Sequence, residues 1–355
     1  MRTFFTLVFC TLVLAPMSAL AFEFGAWVPY WTQTDGIPAT VAHLNQLTSV
    51  GPFAYEVQSD GTLADKSGLQ NSTAWNVVFQ KVATTTTQII PTMLWNRTEE
   101  IRSVLSDDTK RSKNIDAIMA VALDSRFAGV DIDYENKRPE DMAIFSKFLT
   151  ELSSRLHAHS KILSCTVEPR TTDAPPGNYS DKQLMPWAND FAVLNAQCDE
   201  VRLMSYDEYF LQTGTNSWIS PTLALPFLSS NTWVDSTIKY ALKYITPSKL
   251  VLGVPTYGYE FSYKKTNAGY LFDRIKALGF VSAQALRRNY GLTRQYIHNE
   301  IHFSFTYNKQ KRFVTYSDAY LVGARVKLAK QYGLRGIYIF KVDGTEDPAI
   351  WSLEY

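Results

Sequence analysis

The sequence predicts an α/β chain folded as a (β/α)8 TIM barrel, and three observations predict it. Short apolar runs with strand character recur eight times along the chain. Most are separated by stretches with helical spacing, so strand and helix alternate. The runs are almost continuously apolar, as parallel strands are when helices cover their outer face. An open, doubly wound sheet is the rival architecture. It usually carries a Gly-rich phosphate turn after its first strand, and "VPYWTQTDG" stands there instead.

Residues 1–21 precede the barrel and read as a secretory signal peptide. Arg2 supplies the positive end, "FFTLVFCTLVLA" (4–15) the apolar stretch, and Ala19-Leu20-Ala21 an A-x-A cleavage site. The apolar stretch is shorter than the ~18–20 residues that span a bilayer. One domain is expected over 22–355, secreted, with no membrane anchor once the leader is removed.

The predicted strands are 24–31, 47–57, 88–95, 128–135, 161–170, 200–209, 249–259 and 336–344. A helix over 139–157 opens with Pro139 in its first turn. Met142, Phe145, Phe148, Leu149, Leu152 and Leu156 form one apolar stripe along it. Helix 318–332 follows Ser317, a good N-cap, and stops at Gly333. Helix 233–245 stops before Pro247, and 113–124 and 38–47 read as shorter helices. Between strands seven and eight the connection is too long for a simple crossover. It holds a helix (281–291) and alternating runs 302–307 and 312–316 around the polar turn "NKQK". A small α+β insertion is expected at about 260–316.

Without Arg2 the chain has 34 basic and 34 acidic residues, since Lys+Arg total 35 and Asp+Glu 34. A neutral chain with no basic stripe excludes nucleic acid as a partner. Beyond the leader there are two cysteines, Cys165 and Cys198. They make no disulfide scaffold; one bridge or two buried thiols fit equally. His298 and His302 fall in a hairpin-like stretch, which disfavours a metal pair. No metal or organic cofactor is implied, and the chain is read as a monomer. Asn71, Asn96 and Asn178 open glycosylation triplets, which matter only in a eukaryotic secretory pathway.

"GVDIDYE" (129–135) carries the chemistry. Asp131, Asp133 and Glu135 alternate with Val130, Ile132 and Tyr134, so the three acids share one strand face directed into the barrel. A solvated strand face is the bland alternative, and it fits an enclosed strand poorly. Burying three unpartnered carboxylates is costly, and crowded carboxylates cannot all ionise, so one keeps its proton near neutral pH. Glu135 comes last, at the C-terminal strand end where barrel active sites open. A protonated acid there suits departure of a glycosidic oxygen.

These residues resemble the strand-four signature of glycoside hydrolase family 18, D-x-x-D-x-D-x-E. Asp131, Asp133 and Glu135 match its last three acids, and Ala128 replaces the first. "LMSYD" (203–207) is similar to the family's strand-six Met-x-Tyr-Asp, giving Met204, Tyr206 and Asp207. "GVPTYGYEF" (253–261) and "GLRGIYIF" (333–340) resemble the last two strands, with Phe340 where the family usually has Trp. "DYENKRPEDMAIFSKFL" and "TVEPRT" resemble the branch of spore-cortex N-acetylglucosaminidases, which cut peptidoglycan.

The resemblance implies a retaining, substrate-assisted hydrolase of β-1,4 bonds next to N-acetylglucosamine. Glu135 would be the proton donor, Asp133 would hold the substrate's acetamido group, Asp131 would share a proton with Asp133, and Tyr206 would bond the acetamido carbonyl. Asp207 and Met204 would shape the pocket. Tyr30, Trp31, Tyr55, Trp95, Tyr257 and Phe340 are aromatic candidates for a sugar platform, with core packing the alternative for each. Trp218 is a further candidate on a loop. A sugar-binding lectin on the same barrel is the second hypothesis; the presence of Glu135 favours the enzyme. Peptidoglycan, chitin and the N-glycan core all present the required acetamido group.

Overall fold

The computed structural model describes residues 22–174, 185–213, 217–220 and 225–355. The leader read over 1–21 and the triplet at Asn178 lie outside these residues. For Trp218 only the backbone is described.

Eight parallel strands form the barrel: β1 (Glu23–Pro29), β2 (Ser49–Val57), β3 (Thr92–Trp95), β4 (Gly129–Tyr134), β5 (Ile162–Val167), β6 (Glu200–Leu203), β7 (Leu250–Pro255) and β8 (Gly336–Phe340). Each pairs with the next in chain order, and β8 pairs with β1 to close the cylinder. Closure needs a small residue at Gly25. A Cβ there would lie 2.0 Å from the Tyr338 ring, which fills the barrel interior beside Trp27.

Outward-facing residues pack on the covering helices. Ile132 and Tyr134 on β4 are buried, and the Tyr134 ring stacks on Phe148 of the helix Met142–His157. That helix follows a single 3-10 turn, Pro139–Asp141. The last helix spans Ala319–Gln331 and is capped by Asp318, whose carboxylate accepts from the Leu321 N–H at 3.1 Å, rather than by Ser317. Gly333 follows it with φ +63°, the left-handed conformation expected just beyond a helix. The helices predicted at 38–47, 113–124 and 233–245 occupy Gln33–His43, Asp108–Ala122 and Asn231–Ala241. Each begins earlier than predicted, because polar first turns carry no apolar stripe.

The insertion is an antiparallel sheet with one helix, Phe280–Asn289. Its strands are Tyr257–Thr266, Gly269–Gly279, Gln295–Ile297, Glu300–Tyr307 and Gln310–Tyr316. Asn308 and Lys309 both take positive φ in the tight turn of "NKQK". The run 249–259 is two strands, not one. At Thr256 the backbone N–H donates to the Phe340 carbonyl at 2.9 Å. The Lys341 N–H donates to Thr256 Oγ1 at 2.6 Å. The chain leaves the barrel there, so the insertion begins at Tyr257. A sixth strand, Ser217–Ser220, comes from the β6–β7 connection and pairs with Gly269–Gly279.

The disulfide Cys165–Cys198 joins β5 to the residues leading into β6. No helix among the described residues is long and apolar enough to cross a membrane.

Candidate active site

The three acids of β4 rise through the barrel in different surroundings. Asp131 is lowest and wholly buried. Its oxygens accept hydrogen bonds from Trp27 Nε1 (3.4 Å), Thr92 Oγ1 (2.9 Å), Ser164 Oγ (2.7 Å) and Thr166 Oγ1 (2.9 Å). The Arg202 guanidinium is 3.5 Å away. Four donors and a cation thus hold both oxygens in place.

Asp133 sits one layer up, buried, with Oδ1 unpartnered among the described residues. Burial pushes its carboxyl well above the ordinary value, and the charges of Glu135, Asp131 and Glu168 push in the same direction. Glu135 lies above it and Asp131 below, each near enough for its charge to raise the Asp133 carboxyl. Glu135 follows the last residue of β4, and its N–H still donates to the Trp95 carbonyl at 2.7 Å. Its carboxyl is pushed up to about 7, first by burial and then by Glu168, against the pull of Lys137. The Asp133–Glu135 pair therefore keeps at least one proton near neutral pH.

Above them opens a cavity of about 310 Å³, lined by Asp133, Glu135, Met204, Tyr206, Asp207, Tyr257, Trp31 and Phe340 among others. A second hollow of about 440 Å³ shares Trp31, Asp207, Tyr257 and Phe340, so the two form one cleft running toward the insertion. Asp207 takes φ +57° at the turn that ends β6. Tyr257 and Tyr259 donate their hydroxyls to it at 2.8 and 2.9 Å. Burial raises its carboxyl even so. The Tyr206 ring stacks on Phe340, with centroids 5.6 Å apart. Trp31 is 48% exposed at the rim.

Three predicted platform aromatics lie elsewhere. Trp95 pairs with Tyr134, points outward, and packs edge-on against that ring at 5.3 Å. Strand parity explains this, since Thr92 faces inward to Asp131 and Trp95 is three residues on. Tyr55 should share the face of Phe53, but a bulge between them resets the register. Phe53 consequently lines the cleft, and Tyr55 is buried against the outer helices. Tyr30 donates to Glu56, a bond that pushes its hydroxyl up to about 12, and it is not among the cleft-lining residues.

Sequence reasoning did not single out four residues. Phe53 and Leu94 line the cleft; the bulge hid the first and the parity of β3 the second. Glu168, in the quoted "TVEPRT", lines the cleft beside Glu135. Lys137, two residues past Glu135, is buried 3.9 Å from Glu168. A lone Glu after a strand and a Lys in a polar run carry no signal on their own. His302 is buried and stacks on Phe313. The described residues contain no group of three or more His, Cys, Asp or Glu placed to hold a metal.

Comparison with known proteins places these features in context. The profile described as Glycosyl hydrolases family 18 matches residues 26–344. A Cortical fragment-lytic enzyme of Bacillus cereus is 26% identical over 336 residues, covering 91% of this chain and 72% of that protein. The crystal structure of the Bacillus cereus spore cortex-lytic enzyme SleL superposes with TM-score 0.74 at 25% identity, covering 93% of this chain and 73% of the other. A class V chitinase from Pseudomonas fluorescens Pf-5 shares the fold, with TM-score 0.76 at 18% identity over 94% of this chain and 98% of its own.

Proposed function

From the premise that this chain belongs to glycosyl hydrolases family 18, and is thus a glycosidase, we propose that it cleaves β-1,4 bonds next to N-acetylglucosamine by retaining, substrate-assisted catalysis. One observation carries the reading: Asp133 and Glu135, two residues apart on one strand face, both line the cleft together with Tyr206 and Asp207.

In this mechanism Glu135 gives its proton to the glycosidic oxygen as the C1–O bond breaks. The carbonyl oxygen of the substrate's own 2-acetamido group bonds to C1 and forms an oxazolinium ion. Asp133, with Oδ1 free, accepts from the acetamido N–H and balances the positive ring. Tyr206 donates to the acetamido oxygen. Asp131, tied down by its four donors, supports Asp133 from beneath. Asp207, held by two tyrosine hydroxyls, and Met204 shape the pocket around that group, while Tyr257 lines its wall. Phe340 and Trp31 offer apolar faces to sugar rings. Water, deprotonated by Glu135, then bonds to C1 as the bond from C1 to the acetamido oxygen breaks, which regenerates the 2-acetamido group and retains the configuration. Holding the internal nucleophile in attack geometry avoids a bimolecular encounter.

Likeness to a cortical fragment-lytic enzyme favours peptidoglycan over chitin or N-glycans. The leader-like segment favours a secreted enzyme. Purified sacculi, chitin and an N-glycosylated protein, digested side by side and analysed by mass spectrometry, test the substrate; fragments from sacculi are expected. Glu135→Gln should lose turnover and keep oligosaccharide binding. A wild type that binds N-acetylglucosamine oligomers and turns over none of these substrates would instead be a lectin.

A further inference from the structure

Glu168 follows β5 and is buried, 3% exposed, yet it lines the cleft beside Glu135. Its two oxygens differ. Oε2 accepts from Asn189 Nδ2 at 2.9 Å and has the Lys137 ammonium at 3.9 Å. Oε1 has no hydrogen-bond partner among the described residues. Asn189 and Lys137 are themselves buried, and Lys137 is held from its other sides by the Tyr134 carbonyl and the Phe145 ring. The side chain is thus fixed by one oxygen while the other is left unused. An unsatisfied buried carboxylate oxygen is costly unless something completes it.

We propose that Glu168 is a substrate-contacting residue whose free oxygen, Oε1, accepts a hydrogen bond from a hydroxyl of a sugar bound beside Glu135, with Lys137 and Asn189 as its positioning residues. The donor is neutral rather than cationic because Lys137 already balances the carboxylate charge. This assignment rests on the glycan-cleaving reading of the cleft, and deepens it by naming a specificity contact.

Glu168→Gln tests it. Asn189 and Lys137 are both donors, so they hold the amide oxygen and turn the amide NH2 toward the sugar, where a donor now meets a donor. A hydrogen bond to a charged group gives an expected loss of about 10- to 100-fold. It should appear as a higher KM for a soluble N-acetylglucosamine tetramer, with kcat changed less. The double variant Lys137→Met/Glu168→Gln removes both buried charges together while the amide oxygen keeps its bond from Asn189, which spares stability. It should melt near wild type and show the same KM defect. A pair with a purely structural role would move the melting temperature and leave KM alone, and that result overturns the proposal. Tetramer binding by calorimetry in a Glu135→Gln background gives a second readout. If wild type turns over no glycan, the catalytic reading fails; if Glu168→Gln also leaves tetramer affinity unchanged there, this assignment fails separately.

Discussion

The Arg202 guanidinium stands 3.5 Å from the Asp131 carboxylate, and neither side chain reaches solvent. Arg202 also bonds Glu200 and lies over the Tyr338 ring at 3.8 Å. It is the cation beneath the acids of β4. Arg202→Met would strip the buried Asp131 of its neighbouring guanidinium and leave Glu200 with Arg335 alone, 3.4 Å away. Removing one partner of a buried ion pair costs roughly 3–5 kcal/mol. A urea titration should show that loss, and a midpoint matching wild type would refute the role.

The carboxyl of Glu135 is pushed from its ordinary value of 4.5 to about 7. Folding therefore takes up a proton between those two values. The resulting stability is complete below about 4.5 and fades as pH rises through about 7. Glu135→Gln lacks this dependence. The stability difference between wild type and that variant should shrink from pH 4.5 to 8 in urea unfolding. On the activity side, kcat/KM should fall as pH rises past about 7, where the Asp133–Glu135 pair gives up its proton. A flat profile through pH 9 would count against the assigned proton donor.

Trp31 and Trp95 should behave oppositely. Trp31 is a rim residue, so Trp31→Ala should change stability by less than about 0.5 kcal/mol. Lost ring contact with sugar should raise KM roughly 2- to 10-fold. Trp95 is wedged between β3 and the outer helices. Trp95→Ala should cost about 3–5 kcal/mol with KM near wild type. Paired melting curves and steady-state kinetics read both.

That contrast shows what the sequence made legible. The β4 acids were readable because strand parity is strict and three carboxylates on one enclosed face have few other uses. The same parity rule misplaced Trp95, where only the strand's position was known and not which residue started inward. Tyr55 was misplaced by a bulge that leaves no mark in composition. The barrel emerged from its alternating runs, whereas the hairpin Tyr257–Thr266/Gly269–Gly279 did not, because its polar strand ends hide the alternation. Glu168 and Lys137 acquire meaning only when folding brings two separate loops within 3.9 Å.

The Cys165–Cys198 bridge closes a loop with sequence separation 33. Loop-closure entropy gives it a contribution of about 3.7 kcal/mol. Replacing both cysteines with alanine, or reducing the protein, should lower the urea midpoint accordingly. Equal midpoints with and without reductant would show that the bridge adds nothing.

The strand Ser217–Ser220 has a consequence for engineering. It ties the β6–β7 connection into a sheet otherwise built after β7, so that sheet is stitched from two separated stretches of chain. Transplanting residues 257–316 alone onto another barrel would leave one sheet edge bare. A transplant that keeps this sheet whole has to carry both stretches together.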